Sequence, residues 1–155
     1  IMITTQKIKS VYGVPNQQGS YLTTIQLPYP MRLAWDKNAK VKTMRCHKLV
    51  AKDFLNVFND LLAHYGYEKI VELGIDLFGG CFSFRAMRGG SDYSRNKWGI
   101  AIDLDPERNQ LKTPYLKSNF SKQEYKKLHE IFEKHGFINL GKQKGYDAMH
   151  WEIKE

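Results

Sequence analysis

Cysteine is scarce in this chain. Only Cys46 and Cys81 occur, far apart and with no C-x-x-C pair. A cysteine zinc knuckle within the chain is thereby excluded, and two free, buried thiols are expected rather than a disulfide. Long apolar runs are missing too. None approaches the ~20 residues that span a bilayer, so no transmembrane segment is expected. The first residues, Ile1 to Ser10, mix Thr, Gln and Lys with single apolar residues. They lack the continuous apolar centre of a secretion signal. Internal repeats, low-complexity tracts and linkers are absent as well. Acidic residues are outnumbered: 16 Asp and Glu against 24 Lys and Arg leave a net charge of +8. Such a balance favours a polyanionic partner or surroundings, either nucleic acid or an anionic cell envelope, or simply a well-solvated surface. The lysines are spread over several segments without a compact basic stripe or an RNA-binding signature, so nucleic acid is not the expected partner.

What is present suits one folded domain. The 155 residues are 42% hydrophobic and 13% aromatic, enough for a single core, and a monomer is expected. Residues 1–30 read as an extended, turn-rich N-terminal segment punctuated by Gly13, Pro15, Gly19, Pro28 and Pro30, with a short strand over Tyr21 to Leu27. Met31–Trp35 and Val41–Met44 flank Asp36–Ala39 as a β-hairpin, with Lys37, Lys40 and Lys42 blunting its exposed strands. Lys48 to Tyr65 repeats apolar residues at helical spacing and meets a capping Gly66. Val71–Leu77 is a short apolar stretch broken by Gly79-Gly80, and Cys81–Arg85 alternates like a strand. Trp98–Leu104 reads as a strand buried on both faces, closed by a turn at Asp105–Asn109. Ser121 and Glu124 form a capping box for a helix whose stripe is Tyr125, Leu128, Ile131 and Phe132. His129 and His135 fall on that helix, where surface or helix-end roles suffice. Phe137–Leu140 and Met149–Ile153 bracket a hairpin turn at Gly141–Tyr146. Strands, helix, strands, helix, strands make an α+β domain.

Two stretches carry the chemistry. Ser94-Arg-Asn-Lys-Trp-Gly-Ile-Ala-Ile-Asp103 ends an apolar run on a carboxylate. Asp147-Ala-Met-His150-Trp-Glu152 sets a carboxylate three positions before an imidazole. A carboxylate and a histidine on converging strands are able to share a metal ion. A second carboxylate beside them is able to move protons. Taken singly, Asp103 suits a strand-end turn, Asp147 a turn cap, His150 a satisfied core position and Arg85 a buried ion pair.

Taken together, Arg85, then Ser94-x-x-x-x-Gly99-x-Ala-x-Asp103, then Asp147-x-Met-His150-Trp-Glu resemble the LAS-type zinc peptidases. That family includes the VanX and VanY D-Ala-D-Ala peptidases and the L-alanyl-D-glutamate endopeptidases of phage endolysins. The resemblance implies a Hedgehog/DD-peptidase-like fold, a small antiparallel sheet flanked by helices. It implies Asp103 and His150 as zinc ligands, Asp147 as general base and Arg85 as the cation that steadies substrate and oxyanion. Trp98 and Trp151 are expected to wall the site, and Ser94 to lie beside the substrate. One position departs: Asn96 stands where the family has its first ligand histidine. A carboxamide oxygen is a weak zinc donor, and His47 is the most plausible substitute ligand. Arg88 with Gly89-Gly90 is able to cradle an anion, although a solvated loop arginine is the commoner case. The implied function is zinc-dependent hydrolysis of peptidoglycan stem peptides, of the L-alanyl-D-glutamate endopeptidase or D-Ala-D-Ala carboxypeptidase type. The alternative is an impaired relative that holds cell-wall peptides without cutting them. Action on the cell wall without a visible signal would fit a phage-encoded protein released on lysis.

Overall fold

The structure, a computed structural model, describes residues 2–16, 18–82 and 95–155. Two long strands, β1 (Leu22–Leu33) and β2 (Asp36–His47), pair antiparallel. Pro28 and Pro30 lie inside β1, and the register slips between Gln26 and Met31. Proline has no N–H to give to a ladder, so the strand bulges where they sit. The chain then forms α2 (Ala51–Tyr65) and α3 (Tyr67–Glu72) before returning as β3 (Leu77–Gly80). That helical connection lets β3 lie parallel to β1, with Arg32 opposite Leu77. Strands β4 (Ala101–Leu104), β5 (Phe137–Asn139) and β6 (His150–Ile153) complete a six-stranded sheet in the order β2-β1-β3-β4-β6-β5. The α+β class holds. The sheet is mixed rather than antiparallel and larger than expected, because one crossover passes through helices.

Helix α2 buries Phe54, Val57, Phe58 and Leu61 on one face and ends at Gly66, whose N–H reaches Leu62 O at 2.9 Å. The helix over Lys126–Lys134, α4, buries Leu128, His129, Ile131 and Phe132. Their aromatic rings meet the sheet: Phe54 lies 4.7 Å from Phe137 and Phe132 stacks on Trp151 at 4.2 Å. Cys46 and Cys81 are free and buried, as expected. Among the described residues no helix is long and apolar enough to cross a membrane.

Several local expectations are corrected. The N-terminal segment is not extended throughout: Thr5–Tyr12 is a helix, α1, capped by Thr4 Oγ1 accepting from Lys7 N and anchored by buried Ile8. The first hairpin turns at Ala34–Trp35, because Asp36–Ala39 already belong to β2. Gly79 and Gly80 are inside a strand rather than breaking one. Cys81 and Phe82 are not in a strand, and Ser83 to Arg85 lie outside the described residues. Trp98 closes a 3₁₀ turn, Arg95–Trp98, before β4 begins. The Ser121/Glu124 capping box does not form. Ser121 Oγ donates to Ser118 O instead, and Gln123–Tyr125 make a 3₁₀ turn ahead of α4. Gly141–Tyr146 is no plain hairpin turn: Leu140–Lys144 form a short helix, α5, capped by Asn139.

Candidate metal and active site

Strands β4 and β6 build the site through their pleat. Asp103 stands opposite His150, and Ala101 opposite Glu152. Side chains two apart on a strand share a face, so His150 and Glu152 lie side by side and Asp103 joins them across the pair. Ala101, with its single methyl, leaves room for this row. The alternate positions, Ile102 and Trp151, are fully buried in the core, where Trp151 packs on Phe132, Phe120 and His129. The contacts follow from that register. Asp103 Oδ1 lies 3.0 Å from His150 Nδ1, and Glu152 Oε1 lies 3.0 Å from His150 Nε2. His150 and Glu152 are buried, while Asp103 keeps part of its carboxylate open to solvent.

Electrostatics follow the geometry. Burial alone would push the His150 imidazole down, but the hydrogen-bonded Asp103 and Glu152 carboxylates outweigh it and raise its pKa to about 10. Clasped between the two carboxylates, the ring of His150 favours its protonated form. Asp147 takes a left-handed backbone with φ +71°, which Asp tolerates better than most residues. Its N–H donates to Leu111 O, and its own carbonyl accepts from His150 N at 3.2 Å. Burial raises the Asp147 carboxyl, opposed by the His150 charge and reinforced by Asp103. A carboxylate whose pKa is raised is a stronger base than an ordinary aspartate.

The donor set fits a divalent ion in part. Asp103 and His150 Nδ1 are adjacent, and Glu152 on the far nitrogen is the kind of partner that orients a ligating histidine. The two nitrogens of one ring point in different directions, so Glu152 does not share an ion with Asp103. Among the described residues no third His, Cys, Asp or Glu completes a cluster. Asn96 is buried in the 3₁₀ turn that leads into β4. His47 does not substitute for a ligand. Its Nδ1 accepts from Leu49 N at 3.1 Å, so its Nε2–H is left to donate to Tyr12 O at 2.9 Å, and both nitrogens are engaged.

Other expected contributors are placed differently. Trp98 and Trp151 are fully buried, so neither ring is exposed to wall a substrate; Trp98 Nε1 donates to Gly13 O. His129 is no surface histidine: it is buried, bonded to Phe120 O at 2.9 Å and packed on Trp151. His135 pairs with Asp60 at 2.6 Å near the end of α4. Arg85, Arg88, Gly89, Gly90 and Ser94 lie outside the described residues. The sequence reading gave no role to Glu152 or Arg95. The two-residue spacing of His150 and Glu152 was the available signal for Glu152. Arg95 joins Thr5, Ile3 and Glu152, contacts that no local pattern announces.

Residues 88–153, somewhat less than half of the chain, match the model of a family described as D-alanyl-D-alanine carboxypeptidase. The matched stretch contains Asn96, Asp103, Asp147, His150 and Glu152. No curated protein and no solved structure matches the chain.

Proposed function

We propose that this chain is a metal-dependent peptidase of the cell wall, cutting peptidoglycan stem peptides and built on the Hedgehog/DD-peptidase-like fold. The observation that carries the reading is the clasp of His150 between Asp103 and Glu152, with Asp147 one turn away, inside the stretch that matches a carboxypeptidase family. Asp103 and His150 would hold zinc, with Asn96 at the third position. The ion would supply Lewis acidity toward a peptide carbonyl. Glu152 orients the His150 ring. Asp147 accepts the proton of the attacking water on its carboxylate and returns it to the leaving amine. Arg85 steadies the carbonyl oxygen as charge develops on it. The buried Trp151 and Ile102, at the alternate positions of the same two strands, give these charges a floor of low polarity, which strengthens each interaction above it.

The family description favours a peptide ending in D-Ala-D-Ala as first substrate, with an L-alanyl-D-glutamate bond as the second. The test is release of D-alanine, or of new amino termini, from synthetic stem peptides with added zinc. Wild type should cut one of the two peptides, and chelation should stop it. Asn96→His should raise zinc affinity by about 100-fold, because imidazole replaces a weak carboxamide donor and even outer-shell losses cost ~10–100-fold. Peptide binding without cleavage in both proteins would reject the peptidase and leave a cell-wall peptide-binding role.

A further inference from the structure

Glu152 is a buried carboxylate that only half of its surroundings explain. It is 2% exposed, and its Oε1 is taken by His150 Nε2. Its Oε2 has no hydrogen-bond partner among the described residues. The charged group facing that oxygen is Arg95, whose Nε stands 3.9 Å away. That distance is too long for a hydrogen bond but short enough for charge to act. Arg95 is held there by the N-terminal segment. Its Nη1 donates to Thr5 Oγ1 at 3.0 Å, and its Nη2 donates to Ile3 O at 2.8 Å. Met2 in turn bridges to Lys154, just beyond β6. Ile3 and Ile8 are buried, so this strap is part of the packed molecule.

We propose that Glu152 and Arg95 are positioning residues of the site. Glu152 fixes the ring of His150 so that Nδ1 faces Asp103, and Arg95, pinned by Ile3 and Thr5, holds Glu152 in place. This rests on the metal-site reading above and extends it to the N-terminal segment, whose Ile3 and Thr5 lie outside the matched stretch. A ring anchored at one nitrogen has its other nitrogen aimed without further ordering at the moment an ion arrives. Without Arg95, the Oε2 side of this buried carboxylate has, among the described residues, no positive group holding it toward the N-terminal segment. The N-terminal segment therefore supports metal retention at a distance, through a guanidinium that touches neither the ion nor the substrate.

The test uses the full chain with Glu152→Gln, Glu152→Ala, Arg95→Met and Arg95→Lys. Zinc affinity is read by chelator competition, and the ring of His150 is read by NMR of its Nε2 proton in metal-free protein. Glu152→Ala should weaken zinc by about 10–100-fold. Glu152→Gln, which preserves shape, should weaken it less, and Arg95→Met should weaken it about 10-fold, with partial recovery in Arg95→Lys. The Nε2 proton should be protected from exchange in wild type and exposed in Glu152→Ala. Unchanged zinc affinity and unchanged proton protection in the folded Glu152→Gln and Glu152→Ala variants would overturn the proposal. If wild type binds no zinc while the proton signal responds as expected, the metal reading fails and the positioning role stands.

Discussion

At the scale of single residues, the site depends on how two protons are held. The metal-free imidazolium of His150 has a pKa raised from 6.5 to about 10 by its two carboxylates. A raised folded-state value stabilises the fold fully below the unfolded pKa, and the gain is lost as pH climbs through the folded one. The stability gap between metal-free wild type and His150→Gln should thus be widest below about pH 6.5 and shrink toward about pH 10. Urea denaturation at a series of pH values measures it, and a pH-independent gap would show that His150 is not charged in the fold. The second proton is the one Asp147 exchanges with the attacking water and the leaving amine in the proposed reaction. Asp147→Asn removes the base, so turnover should fall by about 10²–10⁴-fold while zinc content stays unchanged. Loss of zinc together with activity would make Asp147 a ligand instead. Asp103, His150 and Asp147 were legible in the sequence because fixed spacing in two short segments exposes them. Glu152 was legible only in principle, through strand alternation. Arg95 was not, since its partners Ile3 and Thr5 lie about ninety positions earlier and are brought near only by tertiary packing.

At the scale of elements, the 3₁₀ turn Arg95–Trp98 is tied to distant parts of the chain. Tyr21 Oη donates to Lys97 O at 2.7 Å, Trp98 Nε1 reaches Gly13 O, and His47 N donates to Gly99 O. Gly99 makes the exit from that turn possible. Its φ is +71°, and a Cβ there would stand 2.8 Å from the His47 backbone nitrogen. Gly99→Ala should therefore lower stability by more than about 1 kcal/mol, from left-handed strain and from the clash together. Thermal or urea unfolding checks this, and a change within error would mean the turn can relax. The helices α2 and α4 were readable because their buried residues repeat at helical spacing over several turns. The short helices α1 and α5 were not. Each has only a turn or two of pattern and is set by a cap, Thr4 or Asn139, and by docking. The capping box at Ser121 had the right letters, yet its hydroxyl found the Ser118 carbonyl first. The parallel pairing of β1 with β3 escaped reading because two strand residues on each side carry it.

For the whole molecule, the sheet divides the work. One surface of β4 and β6 is sealed by α4 through Trp151 and Phe132, and the row Asp103, His150 and Glu152 projects from the other. The N-terminal segment ties into this arrangement through Arg95, Trp98 and Met2. A net charge of +8 would, under the proposed function, aid approach to an anionic wall polymer, and such steering would weaken with added salt. The binding of a divalent ion by a carboxylate and an imidazole on neighbouring strands is what the proposed function requires above all. Equilibrium dialysis against zinc, on wild type beside Asp103→Ala and His150→Ala, measures it directly. Saturable binding of one ion per wild-type chain, lost in both variants, is the expected result; no saturable binding by wild type, or equal binding by all three proteins, would contradict it.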